Sequence, residues 1–217
     1  MKANGECKLP VPGIYMAYDT ILLKCSSMIM YLFMQELQKG IYIPSNEGKT
    51  IYSFITEDCG ISDGYISEKI KTMLIDGGPV DDIFNTTIKD GGVCALSGAM
   101  PGIVGAMMRI GSPYAAMRES ITVKPDNSSG SKKEIKFGLK LFNTILSDKG
   151  RDFFKHGILI EKKRISELFE RYGDEVYSNC REVIINGSPC EKKQITENGM
   201  KSLGEIVNLK VEFEDEN

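Results

Sequence analysis

"EIKFGLKLF", residues 134 to 142, places Ile135, Phe137, Leu139 and Leu141 on one side of an extended chain. Successive side chains of a strand point to opposite faces, so this alternation predicts a half-buried β-strand. "EIVNLKVEFE", residues 205 to 214, alternates in the same way, with Val207, Leu209, Val211 and Phe213 set against Asn208, Lys210 and Glu212. Shorter extended runs are predicted at residues 41 to 43, ended by Pro44, at 121 to 124 and at 182 to 185. "NTTIKDGGVCALS", residues 85 to 97, has two β-prone runs around Asp90-Gly91-Gly92 and predicts a hairpin, because Asp-Gly accepts the positive φ angles of a tight turn.

Helical periods lie between these runs. Residues 20 to 39 carry Leu22, Cys25, Ile29, Leu32, Phe33 and Leu37 before Gly40, which predicts a mostly apolar helix with a glycine stop. Residues 65 to 75 form a second predicted helix, terminated by Gly77-Gly78-Pro79, and residues 165 to 178 an amphipathic third. Strands mixed with helices and hairpin connections define an α+β fold, with a mixed, partly antiparallel sheet and helices packed mainly on one side. No internal repeat is visible. A single domain over residues 1 to 217 is expected, its one weak boundary in the polar loop "PDNSSGSKK", 125 to 133.

Composition narrows the function. With 41% hydrophobic and 26% charged residues the chain is ordinary globular material. A formal charge of −3 argues against a dominant attraction to nucleic acid or anionic lipid. Cysteines stand at 7, 25, 59, 94, 180 and 190 with no C-x-x-C pair, and His156 is the one histidine, too few ligands for a zinc site. The start lacks an apolar leader, so free thiols in a reducing cytoplasm are expected. Residues 15 to 34 and 91 to 108 are apolar enough to weigh as membrane spans, but Asp19 and Lys24 interrupt the first, and glycines and a proline weaken the second.

The stretch from 91 to 120 spends six glycines, five alanines and four methionines on thirty residues, with only Arg109, Arg118 and Glu119 charged. Proline suits a first helical turn and glycine a stop, so helices are predicted from 101 to 110 and from 113 to about 120. Gly98, Gly102 and Gly105 would share one face, which lets a backbone or a ligand approach closely. Tight packing, with methionines filling the gaps, explains that face equally well. As a binding feature it is an anion site: free N–H groups at the helix starts, hydroxyls of Ser97 and Ser112, forked donors of Arg109 and Arg118.

Three further patterns compete with structural explanations. Residues 54 to 77 resemble a helix-turn-helix, with Gly60 at the turn, Ser62 as cap and Tyr65, Lys69 and Lys71 on a recognition helix, though Glu57, Asp58, Asp63 and Glu68 oppose phosphates. Asp76, Asp81 and Asp82 could hold a divalent cation or simply begin a turn and a helix. Cys94 and His156 are the candidate nucleophile and acid–base groups, each explained as readily by packing. The function expected is therefore a cytoplasmic protein binding a small anionic metabolite through Ser97, Gly98, Gly102, Arg109, Ser112 and Arg118, with no metal and no named cofactor. The alternatives are a regulator using residues 54 to 77 and a subunit that self-associates as a homo-oligomer.

Overall fold

In a computed structural model, residues 17–125, 133–191, 195 and 200–215 are described; the irregular start and most of the 125 to 133 loop lie outside them. The chain folds as two compact units, one of Leu37–Lys149, the other of Val11–Glu36 with Gly150–Asn217. In chain order the strands are β1 Thr20–Ser26, β2 Ile41–Asn46, β3 Thr72–Ile75, β4 Gly78–Pro79, β5 Val93–Ser97, β6 Glu134–Phe142, β7 Ile158–Glu161, β8 Cys180–Ile185, β9 Ser188–Pro189 and β10 Ile206–Glu214. The α-helices longer than one turn are α1 Met30–Lys39, α2 Asp63–Lys69, α3 Gly102–Met108, α4 Asn143–His156 and α5 Lys162–Asn179. The fold is α+β, and its strands form both parallel and antiparallel pairs.

In the first unit the strands run β4-β3-β5-β6-β2. β5 and β6 are parallel, and the other three pairs are antiparallel. The alternation in β6 holds: Ile135, Phe137, Leu139 and Leu141 are all buried, and Phe137 meets the ring of Phe54 edge-on at 5.0 Å. The expected hairpin across Asp90-Gly91 does not form. β5 pairs with β3 and β6 instead, and residues 85 to 88 contribute only an isolated bridge, Thr87 to Thr50. The hairpin lies upstream, where Asp76 (φ 51°) and Gly77 (φ 85°) turn β3 into β4. The second expected helix is shorter for the same reason. Ser62 caps it by accepting the Tyr65 N–H, Ile70 is extended, and Thr72–Ile75 belongs to the sheet. Residues 122 to 125 form no strand, although the Val123 N–H bonds Pro79.

In the second unit the order is β9-β8-β1-β10-β7. Thr20–Ser26 is a strand rather than the opening of a helix: Ile21, Leu23 and Cys25 are buried in alternation, and β1 is paired on both sides, with β10 and with β8. Pairing on both edges outweighs the helical period that Leu22 and Cys25 share with Ile29 and Leu32. Phe33, Phe154 and Phe213 close the core as three edge-to-face contacts at 5.8 to 6.0 Å. β10 keeps its predicted face, but Asn208 on the other face is also buried, with Gly157 (φ 108°) brought close against it. Cys25 and Cys180 stand opposite each other in β1 and β8 and form a disulfide, against the expectation of free thiols. Cys94 and Cys190 are free. Among the described residues no helix is long and apolar enough to cross a membrane.

Candidate functional site

The glycine-methionine stretch builds an excursion between β5 and β6. Ser97, at its root, is buried and accepts a hydrogen bond from Asn143 Nδ2 at 2.9 Å. A Cβ on Gly98 would lie 2.2 Å from Thr144 Oγ1, so this glycine lets β5 pass the start of α4. Gly105 is buried against the Met100 backbone, where a Cβ would meet the carbonyl oxygen at 2.3 Å. Gly102 is exposed with open space at its Cβ position, and its φ of 77° is what calls for glycine. Packing and turn geometry thus explain all three. The second predicted helix is a 3₁₀ segment, Ala115–Ile121, bent at Arg118.

Arg118 differs most from its expected role. Its side chain is only 1% exposed, and its donors are spent on the protein. Nε donates to the Met107 carbonyl, Nη1 to Thr122 Oγ1 at 2.8 Å, and Nη2 to both Asp81 Oδ1 at 2.7 Å and the Arg109 carbonyl at 3.0 Å. Asp81 also accepts the Gly111 N–H. Burial alone would raise the Asp81 pKa, but the Arg118 bond, the Gly111 bond and the Arg118 charge outweigh it and lower it. The guanidinium therefore ties both halves of the excursion to the 81 loop and offers nothing to a ligand. Ser112 is likewise local: its hydroxyl donates to the Ala106 carbonyl and accepts the Tyr114 N–H.

Of the six expected residues, Arg109 borders a cleft. That cleft, about 630 Å³, is lined by Tyr52, Asp63, Gly64, Ile66, Ser67, Ile70, Lys71, Ile83, Phe84, Arg109 and Ile110. The size is that of an ordinary small-molecule site. Three segments frame it. Tyr52 comes from a single helical turn, Ile51–Ser53, whose cap Thr50 accepts the Ser53 N–H. That turn runs into a π-helical stretch, Phe54–Asp58, and Gly60 (φ 63°) reverses the chain into α2. The third side is fixed by the Ile110 N–H donating to the Lys71 carbonyl.

The cleft has a charge pattern. Tyr52 donates its hydroxyl to Asp63 Oδ1 at 2.7 Å, and this bond, with some desolvation, raises the phenol pKa. Lys71 Nζ bonds the Ser67 carbonyl at 2.8 Å, and Arg109 reaches the Met100 carbonyl only at 3.5 Å. Neither cation joins an ion pair among the described residues. Between the charged ends lie buried Ile66, Ile70 and Ile83, and Phe84, 61% exposed, packs its ring 4.7 Å from that of Tyr52.

The other patterns separate in space. Asp76 accepts the Val93 N–H, Asp81 pairs with Arg118, and Asp82 caps the backbone at Phe84 and Asn85. No group of three or more His, Cys, Asp or Glu side chains able to hold a metal is found among the described residues. Desolvation, with a smaller push from Asp76, raises the pKa of buried Cys94 to about 12, so it remains a thiol. His156 ends α4 with Nδ1 2.7 Å from the Asp152 carbonyl. In the helix-turn-helix segment the first helix is one α-turn and a π-stretch, and the second has seven residues. Tyr65 is engaged by Asp148 and Lys149, and Lys71 lies beyond the helix.

Asp63 and Lys71 entered the sequence reading only as parts of that helix-turn-helix. Tyr52, Phe84 and Ile110 carried no signal, since their meeting depends on a turn, a loop and an excursion far apart in sequence. No known protein family's sequence pattern matches the chain, and neither a curated protein nor a solved structure does.

Proposed function

We propose that this protein binds a small molecule with an anionic group and an apolar body in the cleft between α2 and Ile110. The observation that carries the reading is the pair Lys71 and Arg109, without ion-pair partners among the described residues, at the edge of an isoleucine- and phenylalanine-lined hollow. A phosphate or carboxylate set between them would gain charge-assisted hydrogen bonds, while Ile66, Ile70, Ile83 and Phe84 remove its apolar part from water. Titration calorimetry with apolar carboxylates and phosphomonoesters tests this. Lys71→Gln with Arg109→Gln should weaken binding at least about tenfold, the loss of one charge-assisted bond. Because both side chains lie at the rim, the melting temperature of the free protein should hold. Anion binding unaffected by the double substitution would place the site elsewhere. A cytoplasmic setting belongs to the same reading. A reducing thiol pool would there oppose the Cys25–Cys180 bond, so counting thiols in freshly isolated protein tests it.

A second reading, self-association, is favoured by one observation. Ile103, Val104, Tyr114, Met117 and Ile121 on the excursion are between 49% and 69% exposed. Apolar residues gathered in this way commonly mark a contact surface. Sedimentation at rising concentration should reveal a dimer that Ile103→Asp with Met117→Asp returns to monomer. A wild type that stays monomeric throughout removes this reading.

A further inference from the structure

Resting on the proposed anion site, we infer that the cleft takes a zwitterion: an apolar ligand whose ammonium group meets Asp63 and whose carboxylate meets Lys71 and Arg109. The wall between these charges is α2. Asp63 is its first residue, and Lys71 stands two beyond its last. Seven helical residues rise about 10 Å. Asp63, Lys71 and Arg109 all line the cleft, and no salt bridge joins Asp63 to either cation. A lone anion would gain at one end of such a hollow and meet repulsion at the other. An ammonium removes that conflict, because a carboxylate holding one phenol bond still has acceptor capacity.

Gly64 is a second, independent pointer. It lines the cleft, and apart from its chain neighbours and its own helix backbone nothing lies within 4 Å of where its Cβ would be. Its φ does not require glycine, and glycine inside a helix costs about 1 kcal/mol relative to alanine. Neither packing nor conformation explains the residue. Keeping the wall bare beside Asp63 does, since a ligand backbone can then lie against the helix. A fully extended tripeptide spans about 10 Å between its termini. A free apolar peptide of about three residues therefore matches the length of the helical wall between Asp63 and Lys71, and trileucine is its simplest probe.

The test compares trileucine with N-acetyl-trileucine, which lacks the ammonium, and with trileucine amide, which lacks the carboxylate. Trileucine should bind about tenfold or more tightly than either, the worth of one charge-assisted bond. Asp63→Asn should abolish the preference over the N-acetyl form and leave binding of that form intact. Gly64→Leu should block all three peptides without lowering the melting temperature, because its Cβ position is open. Equal affinity for trileucine and its N-acetyl form overturns the zwitterion, while the anion site stands if the amide remains weaker. An amide as tight as the acid, or unhindered binding to Gly64→Leu, overturns both. 8-Aminooctanoic acid carries similar charges at similar spacing without peptide groups. It should bind more weakly, and binding as tight as trileucine's overturns the peptide assignment.

Discussion

The two units pair their strands in one pattern and depart from each other in the connections. β4-β3-β5-β6-β2 and β9-β8-β1-β10-β7 both read antiparallel, antiparallel, parallel, antiparallel. Each edge hairpin turns on a left-handed dipeptide, Asp76-Gly77 with φ of 51° and 85° or Asn186-Gly187 with φ of 49° and 80°. The stretches "IDGGP", 75 to 79, and "INGSP", 185 to 189, are the trace of this likeness in the sequence. The likeness is one of pairing pattern, not of chain order, since β5 lies within its unit whereas its counterpart β1 precedes both units' remaining strands.

The differences show where a site can arise. In the second unit one helix, the 18-residue α5, leads from β7 to β8. In the first, the equivalent passage from β2 to β3 is broken into a turn, a π-stretch and α2. Tyr52 stands before that break and Asp63 and Gly64 after it, so the cleft is a product of the interruption. The central pairs are secured differently too. The second unit joins β1 to β8 covalently; the first ties its excursion with Arg118. A glycine-rich excursion has little side-chain bulk to bury, and a guanidinium bonded to carbonyls and a carboxylate compensates for it.

The largest expected effect falls on the second unit. Cys25 and Cys180 are separated by 155 residues, and the chain-entropy estimate for closing such a loop is about 5 kcal/mol. Denaturation with and without reductant should differ by most of that amount; a difference below about 1 kcal/mol would mean the pair is reduced in solution. Next comes Arg118→Ala, which strands Asp81 and three protein oxygens. Removing one partner of a buried ion pair typically costs about 3–5 kcal/mol. A loss within the surface range would show that the excursion is held by other contacts.

Glycine substitutions sharpen the comparison further. Gly105→Val should cost about 1–3 kcal/mol by overpacking against Met100. Gly77→Ala and Gly187→Ala should each cost about 1 kcal/mol, and equally, because the two share a left-handed φ with open space at Cβ. Unequal costs would mean the hairpins are not equivalent. The smallest effect is acid dependence. The Asp81 pKa is lowered in the folded state, against burial and chiefly by Arg118. The stability it supplies is thus fully present above the unfolded carboxyl value of about 3.9 and is lost as pH falls through the lower folded value. Asp81→Asn should flatten that limb of an acid titration followed by circular dichroism.

Local pattern was enough for β6, β10, β8 and α5, whose apolar residues recur at periods that neighbours in the chain impose by themselves. It was enough, too, to mark residues 91 to 120 as unusual and to place turns at glycine. It misread β1, because Leu22 and Cys25 continue a helical period with Ile29, Leu32 and Leu37 until β8 and β10, brought from over a hundred residues away, pair with both edges. It also assigned Arg118 to an anionic ligand, whereas its side chain is buried on protein partners. Charge is visible in a sequence, but burial of that charge depends on Asp81, Met107, Arg109 and Thr122 arriving together. The cleft shares this dependence: Asp63 opens α2 and Lys71 stands two residues past its end, close in sequence, whereas Tyr52, Phe84 and Arg109 reach it from three separate segments. Periodicity is a property of adjacent residues and survives without a fold, whereas partners distant in sequence become neighbours only when the sheet fixes its register.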